Sequence, residues 1–306
     1  MTILFVTGAE DPAAWVPALR ARLPDSRVLT AADAFDPREI EIAVVANPPA
    51  GALRDLPGLR LVQSLWMGVE GLVADPTVPP DVAIARMVDP EMTSQMPEAA
   101  LAHVLFLHRL HDVYGCQQRE RTWRPYPQPL AGARRVGVLG LGELGARTAT
   151  VLAAAGFRVH GWSRTPKRID GVDADTDLDA VLERSEILVN LLPLTPDTRG
   201  LLDAARLALL PHGACLVNLA RGPHIVDADL LAALDSGRLR HAILDVFTEE
   251  PLPPEHPYWT HPAVTVMPHV AAQSTPESCI PVVVENVRRL AAGEPLLHLV
   301  DRTTGY

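Results

Sequence analysis

The stretch "RRVGVLGLGELG", residues 134–145, constrains the fold more than any other part of the chain. A short apolar run leads straight into Gly140, Gly142 and Gly145, spaced G-x-G-x-x-G, and a helix-compatible segment follows. In a strand–turn–helix unit the first glycine permits the tight turn and the second lets a pyrophosphate approach the backbone. The third lets helix and strand pack closely. The first helical turn, Glu143, Leu144 and Gly145, then presents N–H groups with no partner in the helix, which is a site for an anion. The spacing alone also fits a glycine-rich turn with no ligand. A strand, a helix and a second strand in register around it favour a dinucleotide.

Strand and helix signals alternate on both sides of this motif. "TILFVTG", "SRVLTA", "EIAVVANPP", "LRLVQSL" and "VAIARM" read as five strands, with a helical patch at 12–22. A helical segment at 91–113 leads into the Pro-rich "WRPYPQPL", and the pattern then restarts near Arg134. "RRVGVLG", "FRVHGW", "EILVNLLPL", "GACLVNLA", "RHAILDVF" and "VTVMPH" give six further strands. A helix at 227–236 is stopped by Gly237. The last helix opens at "STPESC" with Ser or Thr as N-cap and Pro276 in its first turn, and Pro281 is expected to kink or shorten it. The expectation is α/β, with two Rossmann-like doubly wound parallel-sheet domains and an interdomain cleft. Residues 1–97 with 276–306 form a discontinuous substrate-binding domain, and 98–275 form the dinucleotide-binding domain.

With 306 residues the chain has room for two domains, and 48% hydrophobic with 21% charged residues is globular composition. The formal net charge of −10 argues against non-specific nucleic-acid binding, so an anionic substrate needs a local cationic anchor. Cys116, Cys215 and Cys279 are odd in number and lack CxxC or His spacing. That points away from disulfides or a metal site and toward a reducing, cytoplasmic compartment. No apolar run reaches membrane-spanning length, and the first residues lack the basic start of a signal peptide.

The second strand after the glycine turn ends unusually. An NAD site commonly places an acid there to bond the ribose hydroxyls. This chain has Ser163, Arg164, Thr165 and Lys167, and the first acid is Asp170. Hydroxyl and cationic donors suit a 2′-phosphate, which an acid would repel, so the turn reads as built for NADP. The competing reading is a solvated turn with ordinary surface cations. Lys167 is the only lysine in the chain.

Ligands of a parallel sheet bind at the carboxyl ends of its strands. Arg221 follows "ACLVNLA", Asp245 and then Glu250 follow "HAIL", and His269 follows "VTVMP". An Arg to hold a carboxylate, a His to give a proton, and a Glu to keep that His protonated suit hydride exchange between a nicotinamide and a 2-keto acid. Each also has an ordinary structural reading: His269 is one of eleven histidines, Arg-Gly is common after strands, and "EEPLPPEHP" fits an acidic loop.

These segments, with "LLPLTPDTRGLL", "ALDSGRL" and "LDVFTEEPLP" in order and at family spacing, resemble the D-2-hydroxyacid dehydrogenase family, in particular its glyoxylate/hydroxypyruvate reductase branch. The resemblance runs over nearly the whole chain. It implies that Arg221, Glu250 and His269 are the catalytic set. It places Asp245 beside the nicotinamide carboxamide, counts Pro193 among the cofactor contacts, and implies a homodimer. It also implies that the loop "SLWMGVEGL", with Trp66, Met67 and Gly68, binds the substrate carboxylate through main-chain N–H groups, those of Met67 and Gly68. There Trp66 and Met67 replace small residues and Glu70 replaces an aspartate. The bulk of Trp66 either narrows the pocket or packs under the loop. The expected activity is NADPH-dependent reduction of small 2-keto acids such as glyoxylate and hydroxypyruvate. The alternatives are an NAD-linked dehydrogenase with another substrate and a dinucleotide-sensing regulator without turnover.

Overall fold

The structure, a computed structural model, describes residues 1–8 and 10–303. The chain divides into two compact units, Met1–Met92 with the chain from Gln273 onward, and Thr93–Ala272. The first break falls at 92/93, ahead of the 97/98 suggested by sequence. The helix Met92–His108 lays Met96, Ala100, Val104 and Leu107 into the core of the second unit. The second break falls at 272/273 rather than 275/276: Ala271 and Ala272 pack on that core, and Thr275 already caps the helix Pro276–Ala292 of the first unit.

The first unit holds a parallel sheet of β1 (Thr2–Thr7), β2 (Arg27–Thr30), β3 (Ile40–Ala46), β4 (Leu61–Ser64) and β5 (Ala83–Ala85), in the order β2-β1-β3-β4-β5. Side chains alternate across it. Ile3 and Phe5 join Trp15 and Leu19 of the helix Pro12–Arg22 and Ile280 and Val283 of the helix Pro276–Ala292. Leu4 and Val6 enter the opposite core with Leu53 and Leu56. Each fully buried side chain of this size contributes about 1.5–3 kcal/mol, so both faces of the sheet must be covered. The chain's last helix thus belongs to its first unit. Thr275 caps that helix in a reciprocal arrangement with Ser278, and Pro276 opens it. Pro281 neither ends nor shortens it, since the helix runs unbroken over 17 residues. The proline lies early in the helix with its ring exposed.

The second unit holds β6 (Arg135–Leu139), β7 (Arg158–Trp162), β8 (Val172–Asp175), β9 (Ile187–Asn190), β10 (Ala214–Asn218), β11 (Leu239–Leu244) and β12 (Val264–Val266). All pair in parallel, in the order β12-β11-β10-β9-β6-β7-β8. The order reverses between β6 and β9, the switch point where open sheets of this kind bind ligands. Seven strands stand where six were expected. The additional one, β8 ("VDAD"), is a largely solvated edge strand whose Asp173 and Asp175 pair with Arg184, so it carries no apolar run. The helical segment at 91–113 is also two helices, Met92–His108 and His111–Glu120, broken where Leu110 adopts φ 59°. Arg240 donates to both oxygens of Asp112 and to the Leu107 carbonyl, holding the second helix off the line of the first.

Cys215 and Cys279 are buried, and burial pushes their thiols up to about 11 and about 12. Only Cys116 is partly accessible among the three. A thiol-specific chromogenic reagent is therefore expected to titrate one cysteine in the native protein and all three after denaturation. Rapid reaction of a second native thiol would contradict this packing.

Candidate active site

In the register of the larger sheet Trp162, Leu139, Asn190, Asn218, Leu244 and Val266 form one row. The segments that follow these residues leave from the same edge. Gly140 turns with φ +91°, and a Cβ there would lie 2.9 Å from the Leu191 carbonyl oxygen. A Cβ on Gly145 would lie 1.7 Å from the Gly140 oxygen, so the helix Glu143–Ala154 starts hard against the turn. Gly142 differs, because a Cβ there would meet nothing within 4 Å. Protein packing does not demand this glycine. It leaves open ground before a helix N-terminus that no side chain caps. Glu143 is exposed and Leu144 half-buried at that opening. Such a cradle suits the pyrophosphate of a dinucleotide.

Beyond β7, Ser163 is buried and its hydroxyl donates to the Thr165 carbonyl at 2.6 Å, so it shapes the turn. Arg164, Thr165 and Lys167 stand exposed on it. So does Arg168, a further cation of the same turn that was readable in "SRTPKR" but not singled out. Pro193 lies past β9, and its carbonyl accepts from Thr198 Oγ1 at 2.8 Å and from the imidazole of His224 at 3.2 Å.

Arg221 follows β10 in extended conformation and donates to the Ala220 carbonyl at 2.7 Å. A Cβ on Gly222 would lie 1.9 Å from the Phe247 carbonyl carbon and 2.2 Å from Thr248 N. Only a glycine lets the arginine turn rest on the segment that leads to Glu250. Glu250 is held at both oxygens: Oε1 accepts from Phe247 N at 2.8 Å, and Oε2 lies 2.8 Å from His269 Nδ1. Burial pushes the Glu250 carboxyl up. The bonds from His269 and Phe247 and the charges of His269 and Arg221 outweigh that, so it lies below the usual carboxylate range and is ionised at neutral pH.

His269 has φ +55°, and the residues after it are held by buried Asp245, whose two oxygens accept from Val270 N at 2.8 Å and Ala271 N at 2.9 Å. His103, on the helix Met92–His108, lies in the field of Asp245. Burial pushes its imidazole down, and the carboxylate charge opposes that. No sequence signal marked it. In the first unit, Trp66 follows β4 with Met67 and Gly68. It packs on that unit's core, edge-on to Trp15 at 6.2 Å between centroids, and its main chain bonds to Ser64 Oγ. Packing under the loop is thus the arrangement found. Among the described residues no His, Cys, Asp and Glu cluster suits a metal ion, and no helix is long and apolar enough to cross a membrane.

A glycine turn, an arginine and a Glu–His pair thus leave one edge of a parallel sheet. The family described as D-isomer specific 2-hydroxyacid dehydrogenase, NAD binding domain, matches residues 101–271, more than half of the chain. The chain belongs to the D-isomer specific 2-hydroxyacid dehydrogenase family and is an NAD(P)-dependent oxidoreductase. It is 39% identical over 314 residues to glyoxylate/hydroxypyruvate reductase A of Serratia proteamaculans, covering 100% of both chains. Among solved structures it is similar to a D-isomer specific 2-hydroxyacid dehydrogenase from Xanthobacter autotrophicus Py2 in complex with NADPH and MES. That likeness has 43% identity and a TM-score of 0.94, covering 100% of this chain and 99% of that one. It is also similar to the NADPH-dependent glyoxylate/hydroxypyruvate reductase of Sinorhizobium meliloti in complex with NADP and sulfate. Identity there is 38% and the TM-score 0.93, with 100% and 99% coverage.

The glycines separate two roles. Gly222→Ala is expected to destabilise the protein by about 1–3 kcal/mol, the scale of overpacking, and to lower turnover by displacing the segment before Glu250. Gly142→Ala is expected to keep the wild-type melting temperature and to bind NADPH more weakly. Thermal melting and fluorescence titration check both. A destabilised Gly142→Ala with unaltered NADPH affinity would show that this glycine serves packing.

Proposed function

We propose that the protein reduces small 2-keto acids, glyoxylate and hydroxypyruvate foremost, to 2-hydroxy acids with NADPH as the reductant. The observation that carries this reading is the 2.8 Å contact between His269 Nδ1 and Glu250 Oε2, on the sheet edge that also bears Arg221 and the glycine turn. The names of its reductase relatives support the substrate class.

The Arg221 guanidinium offers a planar pair of donors that matches the substrate carboxylate. Glu250 engages Nδ1 of His269, which leaves Nε2 as the atom that gives a proton to the keto oxygen. Ionised Glu250 is the acceptor that holds the ring in this orientation. Nicotinamide, when bound, supplies the hydride. Proton donation from Nε2 then neutralises the oxygen as its charge develops. Asp245 and Pro193 lie on the nicotinamide side, and the N–H groups of Glu143, Leu144 and Gly145 receive the pyrophosphate. Arg164, Thr165 and Lys167, on the turn shaped by Ser163, read the 2′-phosphate.

The protein works in the cytoplasm as a homodimer in this reading. Three cysteines with no disulfide support a reducing compartment. Trp123 at 97% exposure and Leu130 at 83% support a surface that a second copy covers. A net charge of −10 does not suit nucleic acid.

The test is loss of NADPH or NADH absorbance with glyoxylate, hydroxypyruvate, pyruvate and a bulkier 2-keto acid. Turnover is expected with NADPH and with glyoxylate and hydroxypyruvate foremost. Tight NADPH binding with no turnover on any of them would overturn the reading in favour of a sensor. Arg164→Ala is expected to cost about 1–3 kcal/mol in kcat/KM with NADPH, the scale for a hydrogen bond to a charged group, and nearly nothing with NADH. Equal losses with both cofactors would remove Arg164 from the phosphate site.

Proton transfer has its own signature. His269→Ala is expected to cost roughly 10²–10⁴-fold in kcat. Glu250→Gln, which leaves no carboxylate to accept from Nδ1, is expected to lower kcat while NADPH affinity stays at the wild-type value. Because the Glu250 carboxyl lies below the usual carboxylate range, its ionised form persists as the pH falls through that range. Unchanged kcat in Glu250→Gln, in a variant shown to be folded by melting, sinks the pair.

A further inference from the structure

Asn190 and Asn218 end neighbouring strands as direct register partners, and both are fully buried, as is His224. Burying two amides and an imidazole is unfavourable unless they bond to one another or to the main chain. The main chain sets the direction of every bond. Leu192 N–H points at Asn190 Oδ1 (3.3 Å) and Ala220 N–H at Asn218 Oδ1 (3.2 Å), so oxygen must occupy both places. Asn190 Nδ2 then donates to Asn218 Oδ1 and to His224 Nδ1, each at 3.0 Å. His224 Nδ1 is therefore an acceptor without a proton. The ring proton sits on Nε2, which donates to the Pro193 carbonyl at 3.2 Å. At the other end Asn218 Nδ2 donates to the Arg221 carbonyl at 3.0 Å.

We propose that His224, Asn190 and Asn218 are positioning residues that set the Arg221 main chain against the Pro193 segment. They thereby fix the substrate anchor relative to the cofactor side of the site. This rests on the roles given above to Arg221 and Pro193. None of the three touches a reacting atom. Each holds a carbonyl or orients the group that does, and a side chain as long as arginine is aimed by where its main chain is pinned. The two ends also differ in strength. The Pro193 carbonyl has its shorter bond from Thr198 Oγ1, at 2.8 Å, whereas the Arg221 carbonyl has its shorter bond from Asn218, at 3.0 Å, with the His224 backbone N–H as a second donor at 3.4 Å.

The arrangement predicts two distinguishable failures in the full-length protein. Asn218→Ala removes the shorter of the two bonds to the Arg221 carbonyl, so KM for glyoxylate and the Kd of oxalate on the NADPH-saturated protein are expected to rise roughly ten- to a hundredfold, the scale for misplacing an anchoring group. NADPH affinity, by fluorescence, is expected to stay at the wild-type value. His224→Asn keeps an oxygen near the Nδ1 position for Asn190 and loses the donor to Pro193, so it is expected to weaken NADPH binding. His224→Gln keeps an N–H near Nε2 for Pro193 and loses the acceptor facing Asn190, so it is expected to weaken oxalate more than NADPH.

If Asn218→Ala fails to melt cooperatively, Asn218→Ser carries the same test with a polar group left in the cavity. Folded variants that lose kcat alone, or that weaken both ligands equally whichever end is cut, would overturn the proposal, since the network would then be a scaffold only. Oxalate and NADPH binding need no turnover. A wild-type protein that binds both and reduces no keto acid would refute the proposed function, and the binding pattern of the variants would still decide the relay.

Discussion

Parallel pairing of all seven strands in the larger sheet is the constraint on which the site depends. Antiparallel neighbours would send successive loops to opposite edges. Here the row from Trp162 through Leu139, Asn190, Asn218 and Leu244 to Val266 is in register, so every segment that follows it starts from one line. The apolar interior of both faces enforces that register. A slip of one residue would turn Val136, Val138, Ile187 and Val189 away from the core they share. Stability of the sheet and placement of Arg221, Glu250 and His269 are thus the same physical fact.

At that edge the polar side chains mostly hold main chain. Asp245 takes two N–H groups behind His269, Glu250 takes the Phe247 N–H, and Asn218 takes the Arg221 carbonyl. Strand ends leave N–H and C=O groups without ladder partners, and buried ones must be satisfied. Residues that satisfy them also set where the next side chain points. Gly222 does the same by absence, since any side chain there would strike Phe247 and Thr248.

Features legible in the sequence were those written in local pattern. All five strands of the first sheet, six of the seven in the second, the glycine turn and the last helix's capping residue follow from runs, spacing and turn chemistry. The misses have physical causes. β8 is a four-residue edge strand in which only Val172 and Ala174 pack on the core, alternating with Asp173 and Asp175 that pair with Arg184, so its hydrophobic signal is weak. The break at Leu110 is imposed by Arg240, far along the chain. Within the candidate site, the strand-end positions of Arg221, Glu250 and His269 were readable, and their mutual distances were not. The Asn190, Asn218 and His224 cluster was half visible, since "LVN" closes both strands, but only register makes the two asparagines neighbours. That Ser163 would turn inward to Thr165 depends on turn geometry that no residue type announces.

His269 shows what such an edge demands. A left-handed backbone in a non-glycine residue is unfavourable by roughly 1–2 kcal/mol, and His269 adopts φ +55°. An extended backbone would avoid that cost and would carry the chain past Glu250. What holds the strained turn is the buried Asp245 carboxylate, whose bonds reach the two residues immediately after it. Hydrogen bonds to a charged acceptor contribute about 1.5–3 kcal/mol each, so two of them offset the strain with a margin. The same bonds stop the segment from relaxing, and the imidazole is delivered to Glu250 already oriented. Strain at one residue is therefore stable only because a neighbouring strand end supplies an acceptor in the right row. Parallel register thus reaches, through Asp245, to the contact between His269 and Glu250.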